Sequence, residues 1–267
     1  MIRIAMILAV AWLAFAASGA PAGVINVQFG LTGDSPLYVG TAAAPDSGTV
    51  WNELRGPATA SIGPYSSGAL VDSQTGTSSV TYTIGGATSG NSVAFDDLVS
   101  NEGFAQADYS NTGAPNLTRS QAYAPVSQTG EILLSGLTPT STYSLYVYSD
   151  RGSPPPGILP APNTTNFTVF DGTHPLGASL ISGVNLASTS GFNTPEDYVL
   201  FTGLTPTTIA AANQIEIKFT QATNGYGALN GFQLVETTVL TPEPASLVLF
   251  GLGALSLLWV VRQRRNG

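Results

Sequence analysis

The sequence contains no cysteine, a single histidine and few charges, which make up 9% of its 267 residues. The lack of cysteine excludes a disulfide framework, a thiolate-held metal and thiol catalysis, so an ordinary packed core must hold the chain together. The only histidine, His174, lies in "FDGTHPLG" with Pro175 directly after it. A Ser-His-Asp triad would have to use it, yet no G-x-S-x-G elbow accompanies it, and it reads as a turn residue without a catalytic role. Cations are scarce too. Of eight Lys and Arg residues, Arg3, Arg262, Arg264 and Arg265 lie at the two ends, leaving Arg55, Arg119, Arg151 and Lys218 in the body against about fifteen carboxylates. A net charge near −11 on that body repels phosphate backbones and excludes nucleic acid as a partner.

Small, turn-forming residues are abundant, with 30 Gly and 18 Pro. Together they reach about 18%, below the roughly 25–30% of low-complexity chains, and Val, Ile, Phe and Tyr are plentiful, so the chain folds. The length suits one large domain of about 220 residues once the ends are set aside.

Between Gly23 and Leu240 short alternating runs are separated by turn residues. "VTYTI" puts Val80, Tyr82 and Ile84 on one face, and "QIEIKF" points Ile215, Ile217 and Phe219 inward with Glu216 and Lys218 outward. "TYSLYVYSD" is partly apolar on both faces and predicts a central strand. Further strands are expected at Val24–Phe29, Gly130–Leu134, Asn166–Phe170, Asp197–Phe201 and Gly231–Val235. Runs of this length and spacing indicate a sandwich or barrel. "GLTPT" occurs at Gly136–Thr140 and Gly203–Thr207 as a repeated turn, with Gly ending a strand, Leu plugging the core edge and Pro bending the chain. The spacing of apolar residues in "SVAFDDLVSNE", Ser92 to Glu102, predicts two helical turns. "RGSPPPGILPAPNTTN", Arg151 to Asn166, predicts an exposed loop because its five prolines forbid regular structure.

The two ends carry transport signals. "MIRIAMILAVAWLAFAASGAPAG" has Arg3, an apolar run from Ile4 to about Ala17, and then small residues. This is the pattern of a signal peptide, residues 1–22, with cleavage after Ala22 or alternatively after Ala20; an uncleaved anchor is the rival reading. At the other end, Ala245 to Val261 carries no charge and spans about 25 Å as a helix, enough for a single transmembrane pass at the lower limit. Arg262, Arg264 and Arg265 follow and keep the tail cytoplasmic, with the body outside. Pro242-Glu243-Pro244, then one apolar helix, then a basic cluster resembles the PEP-CTERM sorting signal of Gram-negative bacteria. That resemblance, over residues 241–267, implies recognition by an exosortase-type processing enzyme at the inner membrane. It further implies release or attachment at the cell surface, often in organisms that make exopolysaccharide. A plain stop-transfer anchor is the alternative.

"INVQFG", "GTVWNEL", "GLTPTSTYSLYVYSD", "NFTVFDG" and "LNGFQLV" are similar in kind and order to exported galactose-binding-like jelly-roll domains. The resemblance implies an opening strand beside a closing "NGFxL" strand, and carbohydrate binding for some members. The expected architecture is an all-β, jelly-roll-like antiparallel sandwich over residues 23–240, with an N-terminal signal helix and a single C-terminal transmembrane helix at 245–261.

Two groups of carboxylates, Asp96, Asp97 and Glu102 and then Glu196 and Asp197, admit a Ca²⁺ site or a glycosidase pair. No calcium motif accompanies them, and they read as solvated loop residues, so no cofactor or metal is expected. Trp51, with Asn52, and Tyr65, Tyr109, Tyr123 and Tyr226 are the aromatics that could stack on sugar rings; Trp51 and Tyr226 are the ligand-contact candidates, although a tryptophan after a turn is more often a core plug. The sequons at Asn116, Asn163 and Asn166 matter only in hosts that N-glycosylate. The expected function is that of a non-catalytic surface or matrix protein that binds polysaccharide. A carbohydrate-active enzyme with paired carboxylates and a purely structural protein are the alternatives.

Overall fold

The computed structural model describes residues 23–32, 38, 40–44, 46, 50–58, 63–86, 91–97, 117, 120–149, 164–171, 179–182, 198–209, 212–223 and 226–237. All of them belong to one compact unit, Ala22–Thr237. The signal segment, the sorting tail, Tyr109, Glu102, His174, Glu196 and Asp197 lie outside the described residues.

Fifteen strands and no helix are found among the described residues. In chain order the first five are β1 (Val24–Leu31), β2 (Asn52–Gly56), β3 (Tyr65–Ser66), β4 (Thr81–Gly86) and β5 (Ala94–Asp97). Then come β6 (Ser120–Ala124), β7 (Thr129–Ser135), β8 (Thr142–Tyr148), β9 (Thr164–Phe170) and β10 (Ser179–Ser182). The last five are β11 (Tyr198–Leu204), β12 (Thr207–Ile209), β13 (Ala212–Thr223), β14 (Gly227–Leu229) and β15 (Gly231–Thr237). One sheet runs β11-β8-β15-β1-β2, a second β10-β9-β13-β7-β4-β3 with β12 paired to β13, and a third β14-β6-β5. Every pairing is antiparallel except β1 with β2. The opening and closing strands, β1 and β15, lie side by side, and β8 is central, as its two apolar faces require.

The two large sheets face one another across an aromatic centre. Phe29 of β1 meets Tyr82 of β4 edge to face at 6.0 Å, and Tyr82 meets Phe232 of β15 in the same way at 6.2 Å. Ile25 and Val27, Leu145 and Val147, Ile132 and Leu134, and Ile215, Ile217 and Phe219 fill the rest of this layer. Burying each such side chain contributes roughly 1.5–3 kcal/mol. The alternation read from "VTYTI" and "QIEIKF" therefore assigns the inward faces of β4 and β13 correctly.

The opposite face of the five-stranded sheet is polar and also buried. Asn26, Gln28 and Gln233 project from it, and the segment around 38–46 closes over them. Gln233 Nε2 donates to Asn26 Oδ1 at 2.7 Å, and Gln233 Oε1 accepts from the Ala44 N–H at 3.0 Å and from the Tyr148 hydroxyl. Asn26 Nδ2 donates to Asp46 Oδ2 and the Val50 carbonyl, Tyr148 Oη accepts from the Ala43 N–H, and Gln28 Oε1 accepts from the Tyr38 N–H. These amides make the bonds that burial demands.

Two sequence expectations are corrected. Residues 94–97 of the stretch expected to be helical form β5, paired with β6. Strand pairing wins because alternation sends Phe95 into the core, edge on to Tyr65 at 5.2 Å, and Asp96 to the other side. The loop expected up to Asn166 ends earlier, since Thr164, Thr165 and Asn166 already belong to β9; residues 151–163 are not described. The repeated turn keeps its Leu plugs, Leu137 and Leu204, both buried after glycines with φ near +78° and +69°. The second copy, however, falls inside β11 at a register shift rather than after it.

Tyr82 carries a buried hydroxyl with no hydrogen-bond partner, and burial, reinforced by the Glu53 carboxylate, pushes its ionisation far up. Tyr82→Phe is expected to keep the aromatic contacts while removing an unpaired polar atom. It should therefore raise stability by about 1 kcal/mol, seen as a higher urea midpoint with unchanged slope. A lower midpoint would show that the hydroxyl does have a partner.

Candidate binding face

The three-stranded sheet offers a different surface from the two sealed ones. On β6, Ala122 and Ala124 point to the core, so Gln121 and Tyr123 project from the other side. Asp96 of β5 stands opposite Gln121 in register, and Ala228 of β14 stands opposite Tyr123. Tyr226, just before β14, packs its ring against Tyr123 at 4.9 Å with a 55° tilt. Tyr123, Tyr226 and Asp96 are half-buried, while Gln121 is 0% exposed and neither its Nε2 nor its Oε1 has a hydrogen-bond partner. An amide buried with both ends unused costs roughly 1–3 kcal/mol unless something supplies the missing bonds.

The local sequence explains the shape. "NGYGALNG" delivers Tyr226, makes the short strand Gly227–Leu229, and then crosses into β15 at Asn230. Asn230 ties the sheets together: its Nδ2 donates to the Ser120 carbonyl, its N–H donates to the Tyr148 carbonyl, and its carbonyl accepts from the Phe29 N–H, each bond at 2.9 Å. The Ala228 N–H donates to Thr165 Oγ1 of β9, which anchors the strand under Tyr226 to the second large sheet.

The structure packs Tyr226 against Tyr123, while Asp96, opposite Gln121, stands toward the other end of β6 from Tyr226, and Trp51 and Tyr65 belong to buried clusters. Trp51 is 7% exposed, edge on to Tyr38 at 5.2 Å, with its indole N–H donating to the Gly40 carbonyl at 3.0 Å. It is the core plug that a tryptophan after a turn usually is. Tyr65 packs against Phe95 in the main core. Gln121 was not singled out from sequence, because glutamine in a short strand has no signature of burial. The alternation "SQAYA", with small residues inward, was the available hint.

A carboxylate pair that does stand together lies elsewhere, on the outer face of the second sheet. Glu216 and Lys218 of β13 and Glu131 of β7 are neighbours, with Lys218 Nζ 2.8 Å from Glu216 and 3.9 Å from Glu131. Burial, then the hydrogen bond to Glu216 and its charge, push the Glu131 carboxyl up to about 7, and Lys218 opposes the shift. The two acids flank Lys218 on one sheet face, whereas a glycosidase pair stands across a cleft. Among the described residues no group of three or more His, Asp or Glu side chains is arranged to hold a metal.

These geometries describe an all-β sandwich whose third, smaller sheet carries a packed pair of half-buried tyrosines. Residues 240–265 match the PEP-CTERM protein-sorting motif, so the chain carries the recognition signal for exosortase processing and is an exported protein, anchored by its C-terminal segment before cleavage. No curated protein matches the chain. Among solved structures, TmCBM61 in complex with beta-1,4-galactotriose aligns at 12% identity over 57% of this chain and 86% of that one, with a TM-score of 0.30. That likeness is too shallow to carry over either fold or ligand.

Glu131 binds its proton more tightly in the folded protein than in the unfolded chain, so its ionisation opposes folding. Its contribution to stability is greatest below about pH 4.5 and declines as the pH rises toward 7. Glu131→Gln should remove that decline, leaving the variant more stable than wild type by roughly 1–3 kcal/mol at pH 8 and little different at pH 4.5. Urea unfolding at the two pH values measures it; equal differences at both would show that Glu131 titrates normally.

Proposed function

We propose that this exported protein is a non-catalytic polysaccharide-binding component of the cell surface or extracellular matrix, built on a jelly-roll-like sandwich. The signal peptide is residues 1–22, the binding domain 23–240 and the sorting segment 241–267. That segment comprises the motif Pro242-Glu243-Pro244, a membrane helix at 245–261, and Arg262, Arg264 and Arg265 as the stop. The observation that carries the binding reading is the packed, partly exposed pair Tyr123 and Tyr226 on the third sheet. Tyrosine rings offer apolar faces to the C–H side of a pyranose, and their phenolic hydroxyls supply directed bonds to its hydroxyls. The strongly acidic body favours a neutral polysaccharide over a uronate-rich one, since like charges would repel.

Affinity electrophoresis of the exported protein through gels containing a neutral galactan, a glucan or an anionic polysaccharide tests this. Wild type should be retarded by a neutral polymer. Tyr226→Ala and Tyr123→Ala should each weaken that retardation by roughly tenfold, which corresponds to about 1.4 kcal/mol. Retardation by no polymer, or full retardation of both variants, would leave the structural-protein reading in its place.

A further inference from the structure

Gly23 opens the folded unit beside two carboxylates. Its carbonyl accepts from the Glu236 N–H at 2.8 Å, and the neighbouring Val24 carbonyl accepts from the Ser73 N–H at 2.8 Å, so the backbone here is held from both sides. A Cβ at position 23 would collide with Asp72 Oδ2 and stand 3.5 Å from Glu236 Oε2. Both carboxylate oxygens therefore lie close to the Gly23 Cα. Asp72 is 7% exposed, and its Oδ1 is already occupied by the N–H groups of Gln74 and Thr75 at 2.7 and 3.0 Å. Its Oδ2 is aimed at Gly23, and Asp72 has no cationic partner among the described residues. Glu236 Oε1 accepts from the Ser141 hydroxyl, while its Oε2 turns to the same spot. A largely buried carboxylate with no cation beside it is unfavourable as it stands.

We propose that these two carboxylates pair with the α-ammonium group created when the signal peptide is cut after Ala22, so that export completes the fold by adding an ion pair with Asp72 and Glu236. The inference rests on the signal-peptide reading. In the precursor the Gly23 nitrogen is an uncharged amide linked to Ala22. Cleavage by water leaves it a free amine, protonated at neutral pH, one bond from the Cα that the two carboxylates surround. The first residue of the mature chain thereby becomes a bound group rather than a loose end.

The test uses the protein purified after export. Intact mass gives the first residue, and mild acetylation near neutral pH then reports on the α-amine, with Lys218 as the only other amine in a body that starts at Gly23. The inference predicts a start at Gly23 and an α-amine that acetylates about tenfold more slowly than in Asp72→Asn or Glu236→Gln. It also predicts that acetylating that amine lowers the thermal midpoint of wild type by about 2–4 °C while leaving either variant unchanged. Both replacements keep shape and a capping oxygen, so folding is retained. A start at another residue overturns the cleavage reading and the inference with it. A start at Gly23 with equal acetylation rates in wild type and variants overturns the inference alone.

Discussion

The hydrogen bond between Asn26 and Gln233 is the constraint on which the rest of the structure depends. It joins two buried amides 207 positions apart, in the first and last strands of the folded unit. Slipping β1 against β15 by one residue would turn Asn26 into the aromatic core and expose Val27 and Phe29 to the polar side. The amide pair therefore fixes the register of the central sheet. Tyr148, Ala44, Asp46 and Val50 bond to the same two side chains, so the segment that covers this face is held by the pair as well. Closing so long a loop is entropically unfavourable, and the contacts that offset it are the non-local ones gathered here.

This closure also organises the surface features. Asn230 immediately precedes β15 and bonds to both the five-stranded and the three-stranded sheet, so the tyrosine face inherits its position from the same strand that carries Gln233. At the other end of the pair, Val24 stands opposite Val235, which brings Gly23 next to Glu236. The proposed cleavage point before Gly23 and the strand after which the sorting segment follows are thus neighbours through backbone hydrogen bonds. Trimming at both ends, as proposed above, would leave each end on a strand at the centre of a sheet rather than on a frayed edge.

Much of this was legible in the sequence. The strict alternation of "VTYTI", "QIEIKF" and "TYSLYVYSD" fixed which side chains face inward, and the sorting motif was read from three features in fixed order. What could not be read is what depends on distant partners. Phe95 has spacing compatible with a helix, and only pairing with β6 shows it to be a strand residue. Asn26 and Gln233 sit at positions that alternation assigns to solvent, and they are buried because a segment without periodicity folds over them. Tyr226 is legible as a loop aromatic, whereas the burial of Gln121 has only the small inward residues of "SQAYA" as a local hint.

The measurement that tests this account most directly is native-state hydrogen exchange of the whole protein, resolved by residue. If closure of β1 on β15 governs the fold, the amides of Val27, Phe232 and Leu234 exchange only through global unfolding and are among the slowest in the chain. Exchange of these amides through a smaller opening, at lower free energy than the β4–β7 pairing, would show that the sandwich stands without that closure and would contradict the account.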